Sequence, residues 1–198
     1  LLSLSRGLAH WVTKPSPGVL ILAGHKGSGK TRLLREMLSP FIAQGEIEAH
    51  QHQWRYGPSI RSTMMSISGG IGMHEESLRE HLEWFLAGHG LDGAELADLV
   101  DWLLEDDRGE RTERDTEFLK RFMAACADER PFVLAIDGVE VIDDQILGII
   151  RAIRKAKLPV IVVLAGNDPQ LPNFEQMPAW LESARRNLEP LSEEQLGR

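Results

Sequence analysis

The stretch GVLILAGHKGSGKTRLL, residues 18–34, decides the fold that this chain is expected to adopt. Residues 19–23 form an unbroken apolar run, which is typical of a strand buried on both faces in a parallel sheet. Residues 24–31 then match the pattern G-x-x-x-x-G-K-[ST] at every fixed position. A helical pattern follows at residues 31–39, and Pro40 is expected to end or bend that helix. A strand, a glycine-rich loop and a helix in this order predict a phosphate-binding site.

The residue types in the loop suit this chemistry. Glycines let the main chain approach a phosphate closely, and the N–H groups at a helix N-terminus form an anion-binding concavity. Lys30 is expected to reach the β- and γ-phosphates, and Thr31 to place its hydroxyl on Mg²⁺. The predicted phosphate-binding residues are Gly24, His25, Lys26, Gly27, Ser28, Gly29, Lys30, Thr31 and Arg32. The alternative is a glycine-rich turn that carries Lys-Thr by coincidence.

Length, composition and charge restrict the other function classes. The chain has 198 residues, 42% hydrophobic and 26% charged, as expected for one domain, with or without an insertion. The net charge of −8 argues against bulk-charge binding of nucleic acid, which is expected as a partner only through segments outside the sequence. No membrane span and no signal peptide are evident, so no membrane association is expected. The sequence begins at Leu1 rather than methionine, so it is expected to be part of a longer protein.

The single cysteine, Cys126, lies among apolar residues of a helical pattern and is expected to be a buried core thiol. A lone cysteine excludes an internal disulfide within the sequence. This cysteine usage fits a reducing, cytoplasmic setting.

A second buried-strand run, residues 132–136, ends in Asp137. An apolar strand that ends in an acid, in a chain that also has a phosphate loop, predicts the Walker B carboxylate, which holds Mg²⁺ through its water shell. The alternative is an ordinary Asp-Gly turn after a core strand. Gly138 stands where many phosphate-loop ATPases carry a glutamate, so Glu140 is the candidate base that orients water. Its alternative role is that of a surface acid beside the strand end.

A third buried run, residues 160–165, is followed by Asn167. Between the second and third runs, a helix is expected to start at residues 143–144 and to stop before Pro159, which makes a parallel βαβ unit. In open parallel sheets the carboxyl ends of the strands face the ligand, so Asn167 is expected to contact the γ-phosphate or the attacking water. The alternative is that Asn167 only forms the turn that follows the strand.

The predicted fold class is therefore α/β: a three-layer core in which helices flank a parallel sheet, with a helical insertion between the two nucleotide motifs. Residues 1–13 are expected to form a lead-in helix, and residues 74–127 to be largely helical. In the segment at residues 47–71, one strand is predicted at residues 62–67.

Four segments together resemble AAA+ ATPases of bacteria, most closely the origin-recognition and STAND (NACHT-like) branches. These segments are the phosphate loop, AIDGVE at 135–140, LPVIVVLAGNDPQLPNF at 158–174 and LESARRNLEPLSEEQ at 181–195. The resemblance implies a P-loop ATPase that uses ATP and Mg²⁺ and hydrolyses the β–γ bond. It also implies a homo-oligomer or a partner protein on which the nucleotide state acts.

The resemblance covers residues 18–43 and 132–196 well and residues 44–131 poorly. It implies one domain over residues 1–198 in which residues 184–198 start a helical lid that is otherwise absent or truncated. By the same analogy, Arg185, or its neighbour Arg186, acts as an arginine finger on the ATP of an adjacent subunit. The alternative is an exposed arginine pair on a helix that leads into the lid.

Three functions remain open from the sequence. The first is an oligomeric ATPase, and the second is a slow or non-hydrolysing nucleotide-gated switch or scaffold. The third is a small-molecule kinase, which needs an acceptor pocket that residues 47–127 would have to supply. GTP specificity is not expected, because residues 137–140 and 167–170 do not match the D-x-x-G and N-K-x-D patterns of GTPases.

Overall fold

The computed structural model describes residues 2–54, 59–105, 113–167 and 185–187. The described part of the chain begins with a helix and the predicted phosphate-loop strand, and a run of four helices separates the second strand from the third. The elements are α1 Leu2–Thr13, β1 Gly18–Gly24, α2 Lys30–Ala43, β2 Glu48–Gln53, α3 Ile60–Ser68, α4 Glu75–Gly88, α5 Gly93–Leu104, α6 Glu113–Cys126, β3 Phe132–Val139, α7 Asp144–Ala156, β4 Val160–Asn167 and β5 Arg185–Asn187. Among these residues, no helix has both the length and the apolarity that crossing a membrane requires.

The sheet is parallel and has the strand order β2-β3-β4-β1-β5. Its three central strands, β1, β3 and β4, are the three apolar runs of the sequence, which are buried because helices cover both faces. The predicted α/β class, with a parallel sheet between helices, is confirmed.

Two apolar cores lie on opposite faces of the sheet. One joins α1 and α2 to the side chains of Val133, Ala135 and Val163. The other joins helices α3 to α7 to the alternate side chains, such as Leu134, Ile136 and Leu164. Since successive side chains of a strand point to opposite faces, Asp137 continues the face of Val133 and Ala135, towards α2.

The helix predicted at residues 1–13 is confirmed, residues 74–127 are largely helical as predicted wherever the structure describes them, and Cys126 is buried as expected. The strand predicted at residues 62–67 is wrong, because that segment lies in helix α3. Ser59 caps α3 in a reciprocal capping box with Ser62, and Gly69 ends it in the left-handed conformation. A strong cap and a one-sided buried face outweigh the β-branched residues of the segment.

The segment before α3 contains a strand that the sequence does not predict. β2, with the sequence EAHQHQ, pairs with β3 at the edge of the sheet. It lacks an apolar run because one of its sides has no neighbouring strand within the described residues, and polar side chains are tolerated there.

Two further expectations differ from the structure, the first of them in part. Of the two effects expected of Pro40, the end of helix α2 is wrong, because the helix continues to Ala43. Arg185 and Arg186 lie in strand β5, which pairs with β1, and not on a helix. The remainder of the predicted lid, residues 184 and 188–198, lies outside the described residues.

Candidate nucleotide site

The phosphate loop, residues 24–31, joins the end of β1 to the first turn of α2. Gly27 and Gly29 have φ angles of 86° and 83°, a region in which a side chain is strained. Gly29 is the residue that precedes the helix and, lacking a side chain, makes no side-chain cap. A Cβ added at Gly27 or Gly29 would meet no heavy atom within 4 Å, so the space beside the main chain is open. A short anion can therefore approach the amides of the first helical turn.

Lys30 folds back over this loop. Its Nζ donates to the carbonyl oxygens of Gly24 and His25 at 2.7 and 2.9 Å and to the Ser28 hydroxyl at 3.4 Å. The residue is only 8% exposed. Burial lowers the pKa of the Lys30 ammonium, and the nearby negative charge of Asp137 partly opposes this effect. The ammonium is thus held at the loop by neutral carbonyl oxygens, which an anion could complement.

Thr31 and Asp137 meet although they are 106 residues apart in the sequence: the Thr31 hydroxyl donates to Asp137 Oδ2 at 2.8 Å. The two side chains come from the start of α2 and the end of β3. Asp137 is 9% exposed, so its carboxylate is largely removed from bulk water. A hydroxyl and a carboxylate at this spacing are oxygen ligands of the kind that Mg²⁺ accepts directly or through water.

Sequence reasoning missed two further groups at this carboxylate. The amides of Gln51 and Gln53, both on β2, donate to Asp137 Oδ2 at 3.1 and 3.2 Å. The register pairs Gln53 with Asp137, and Gln51 lies two residues earlier on the same face of β2. The only available signal was the alternating pattern EAHQHQ at residues 48–53, which lacks the apolar run that identified the other strands.

A β-bulge follows Asp137. In the β3–β4 ladder Asp137 pairs with Ala165 and Val139 with Gly166, so Gly138 is the extra residue. Gly138 has a φ of 75°, which only glycine adopts easily, and its N–H donates to Asp137 Oδ1 at 2.8 Å. A Cβ at Gly166 would overlap the carbonyl oxygen of Val139. The bulge therefore depends on a glycine in each strand, for torsion in β3 and for space in β4.

The bulge changes the face that the residues after it occupy. Val139 packs into the core on the α3–α7 side of the sheet, opposite to the face of Asp137. In a regular strand, residues two apart would share a face. The residue after Val139 is Glu140, which is exposed and lies just after the end of β3.

The backbone also places Asn167 at the site. Asn167 pairs with Gly24, at the start of the phosphate loop, and β4 lies between β1 and β3. Its side chain lies outside the described part of the structure. Arg185 begins β5 and pairs with Ile21 of β1. Its side chain also lies outside the described part of the structure.

Three residues of the predicted phosphate-binding set have side chains that point into solvent. His25 and Lys26 are exposed, as expected for the free positions of the loop. The Arg32 guanidinium pairs with Glu36 one turn along α2, with a separation of 2.7 Å. The part of these residues that faces the loop is their backbone.

The fold and the site together define a phosphate-loop NTPase core. It has a parallel sheet and, at the carboxyl ends of the strands, a glycine-rich loop, a buried lysine and a hydrogen-bonded pair of a hydroxyl and a carboxylate. Residues 4–163 match the family model of the AAA ATPase domain, and the chain belongs to this family. No match is found among the curated proteins.

Two solved structures are similar in fold. One is the Drosophila ORC bound to DNA, with a TM-score of 0.56 and 15% identity over 98% of this chain and 42% of that chain. The other is Cdc6p from Pyrobaculum aerophilum, with a TM-score of 0.53 and 14% identity over 98% of this chain and 45% of that chain. The chain thus spans less than half the length of either protein.

Proposed function

We propose that this chain is an ATP-hydrolysing AAA+ module whose nucleotide state controls oligomerisation or the action of a partner protein. The observation that carries the proposal is the 2.8 Å hydrogen bond from the Thr31 hydroxyl to the Asp137 carboxylate, beside an open glycine-rich loop. This bond brings the two predicted metal-binding side chains together at the place where a nucleotide's phosphates would lie. The setting proposed for this activity is the cytoplasm.

The residues present fit a magnesium–nucleotide complex. The loop amides and Lys30 provide donors and positive charge for phosphate oxygens, and Thr31 and Asp137 provide oxygen atoms for a hard cation. Bound Mg²⁺ would supply neutralisation of the charge that develops on the phosphates. In this proposal Lys30 exchanges its carbonyl partners for phosphate oxygens, which are stronger acceptors because they are charged.

Hydrolysis also requires that a water molecule be oriented for attack. We assign this task to Glu140, which directly follows β3 two residues after Gly138 of the bulge, and to Asn167, whose backbone pairs with Gly24 at the start of the phosphate loop. A positioned carboxylate accepts the proton of the attacking water, while the neutral amide of Asn167 orients the water or the γ-phosphate. Arg185 is proposed as the finger that acts on the nucleotide of an adjacent subunit.

A nucleotide-gated switch with slow or absent turnover is the second candidate. The observation that favours it is the exposure of Glu140, together with Gly138 directly after Asp137. A base in contact with bulk water is less well oriented than a buried one, so hydrolysis would wait for a partner surface to cover it. In that case ATP binding, and not turnover, is the signal.

The test is ATP turnover per subunit as a function of protein concentration, with Glu140→Gln as the variant and Glu36→Gln as the matched control. The ATPase proposal expects turnover that rises with concentration, that Glu140→Gln reduces by about 100-fold and that the control leaves unchanged. ATP binding by Glu140→Gln should remain. Bound ATP with negligible turnover at every concentration would favour the switch, and no ATP binding by the native chain would refute both.

A further inference from the structure

The carboxylate of Asp137 is held by more donors than the two nucleotide motifs provide. Oδ2 accepts hydrogen bonds from the Thr31 hydroxyl and from the amides of Gln51 and Gln53, and Oδ1 accepts one from the Gly138 N–H. Two of these donors come from β2, an edge strand that belongs to neither motif.

We propose that Gln51 and Gln53 are positioning residues that orient Asp137 for Mg²⁺ and so set the magnesium dependence of nucleotide binding. This inference rests on the proposed function, since it concerns the metal that accompanies ATP. The proposal gives a role to β2, a strand that lies outside both nucleotide motifs.

The chemistry of the amide group suits this task. A lysine or arginine at either position would neutralise the carboxylate and lower its attraction for a cation. A glutamine amide fixes the carboxylate by hydrogen bonds while its full negative charge stays available. The same amide also carries a carbonyl oxygen, so it can accept hydrogen bonds from metal-bound water. Hydrogen-bonded partners of this kind around metal-binding carboxylates typically contribute 10–100-fold in metal affinity.

The backbone explains why both amides reach the same oxygen atom. Residues 51 and 53 share one face of β2, and β2 is held in register with β3 by parallel pairing from Glu48 to Gln53. The intervening residue, His52, is buried on the opposite face beside Trp54. A one-residue slip of β2 would therefore replace the two amides by His50 and His52 or by His52 and Trp54, so the buried His52 also fixes which side chains meet Asp137.

The experiment uses an ATP analogue with a non-hydrolysable β–γ bridge, whose binding is measured by calorimetry in EDTA and over a Mg²⁺ series. The test variants are the double variant Gln51→Leu with Gln53→Leu, and the single variant Gln53→Glu. Gln44→Leu is the matched control, because Gln44 is exposed at the end of α2. Circular dichroism and thermal unfolding establish that each variant is folded.

The double variant should require about 10-fold more Mg²⁺ for half-maximal binding, with its EDTA affinity changed by less than about twofold. Gln53→Glu keeps the size of the side chain but removes an amide donor to Asp137, so it should also raise the Mg²⁺ requirement. The control should match the native chain. An unchanged Mg²⁺ requirement, an equal loss of affinity in EDTA, or a lower Mg²⁺ requirement in Gln53→Glu would overturn the proposal, while the proposed nucleotide binding would stand. If the leucine pair does not fold, the single leucine variants and Gln53→Glu decide between the same outcomes. A native chain that binds no nucleotide in either condition would refute the proposed function, and the amide proposal with it.

Discussion

The phosphate loop and the carboxylate that faces it are built in different ways. The loop is one continuous segment, residues 24–31, whose shape follows from the torsions of Gly27 and Gly29 and from the start of α2. The carboxylate of Asp137 is held by groups from β2, β3 and α2, and the bulge beside it depends on Gly166 of β4.

This difference separates two kinds of constraint. A locally built loop depends on the torsions and donors of its own residues, so a substitution there affects ligand binding more than folding. An edge assembled from several strands depends on register and close backbone packing, so a substitution there affects folding and the site together. The predictions below test this separation.

The largest expected effect is that of Lys30→Ala on nucleotide binding. Loss of a buried ammonium that contacts phosphate should cost about 3 kcal/mol, which is about 100-fold in affinity. The free energy of unfolding should change by less than about 1 kcal/mol. Burial of the charged ammonium is unfavourable, as the lowered pKa of Lys30 indicates, and this cost offsets the stability that its hydrogen bonds contribute. Calorimetric titration with ATP and urea unfolding measure the two quantities.

Lys26→Ala is the control for Lys30→Ala, since Lys26 is an exposed lysine of the same loop. It should change the affinity for ATP by less than about twofold and the free energy of unfolding by less than about 0.5 kcal/mol. A loss of stability in Lys30→Ala as large as its loss of binding would contradict the view that the loop is a local device.

Gly166→Ala tests the part of the site that several strands build, at the bulge between β3 and β4. The added Cβ would overlap the carbonyl oxygen of Val139, which is backbone and cannot rotate away. Separation of β3 and β4 at the bulge should destabilise the fold by about 3 kcal/mol and displace Glu140, so turnover should also fall. Urea unfolding and ATP turnover measure these effects. A fully stable Gly166→Ala variant with native turnover would show that the bulge does not position the site.

The third prediction concerns β2, where the His50 ring contacts the Ser66 hydroxyl at 2.8 Å. Burial, with a contribution from His52, lowers the pKa of His50 from 6.5 to about 4. The unfolded chain therefore binds a proton at His50 near pH 6.5, whereas the folded chain binds it only near pH 4. The stability that neutral His50 contributes is thus complete above pH 6.5 and is lost as the pH falls towards 4. The expected loss is about 2 kcal/mol, after allowance for partial exposure of the ring.

His50→Gln should remove this pH dependence because glutamine does not titrate and can still contact Ser66. Urea unfolding at several pH values between 4 and 7 measures the slope. His25→Gln, which changes an exposed ring of the phosphate loop, should keep the native slope. The same slope in the native chain and in His50→Gln would refute the assignment.

The same difference explains which parts of the molecule the sequence predicts. The strands β1, β3 and β4 were predicted because each is buried on both faces and is therefore an apolar run. Strand β2 was not, since an edge strand needs no such run, and β5 is only three residues long and polar. The contacts of Gln51 and Gln53 join residues 86 and 84 positions from Asp137, and they depend on a register that no local pattern encodes.

The smallest expected effect is that of Gly29→Ala, which isolates torsion from space. Gly29 has a φ of 83°, and a Cβ there would meet no atom within 4 Å, whereas Gly166 is limited by a close backbone contact. The expected cost to stability is therefore only the left-handed strain of about 1 kcal/mol, and Gly29→Asn should cost less because asparagine tolerates this region. Urea unfolding of both variants measures this cost. A loss as large as that of Gly166→Ala would mean that the loop, like the edge, is held by packing with the rest of the chain.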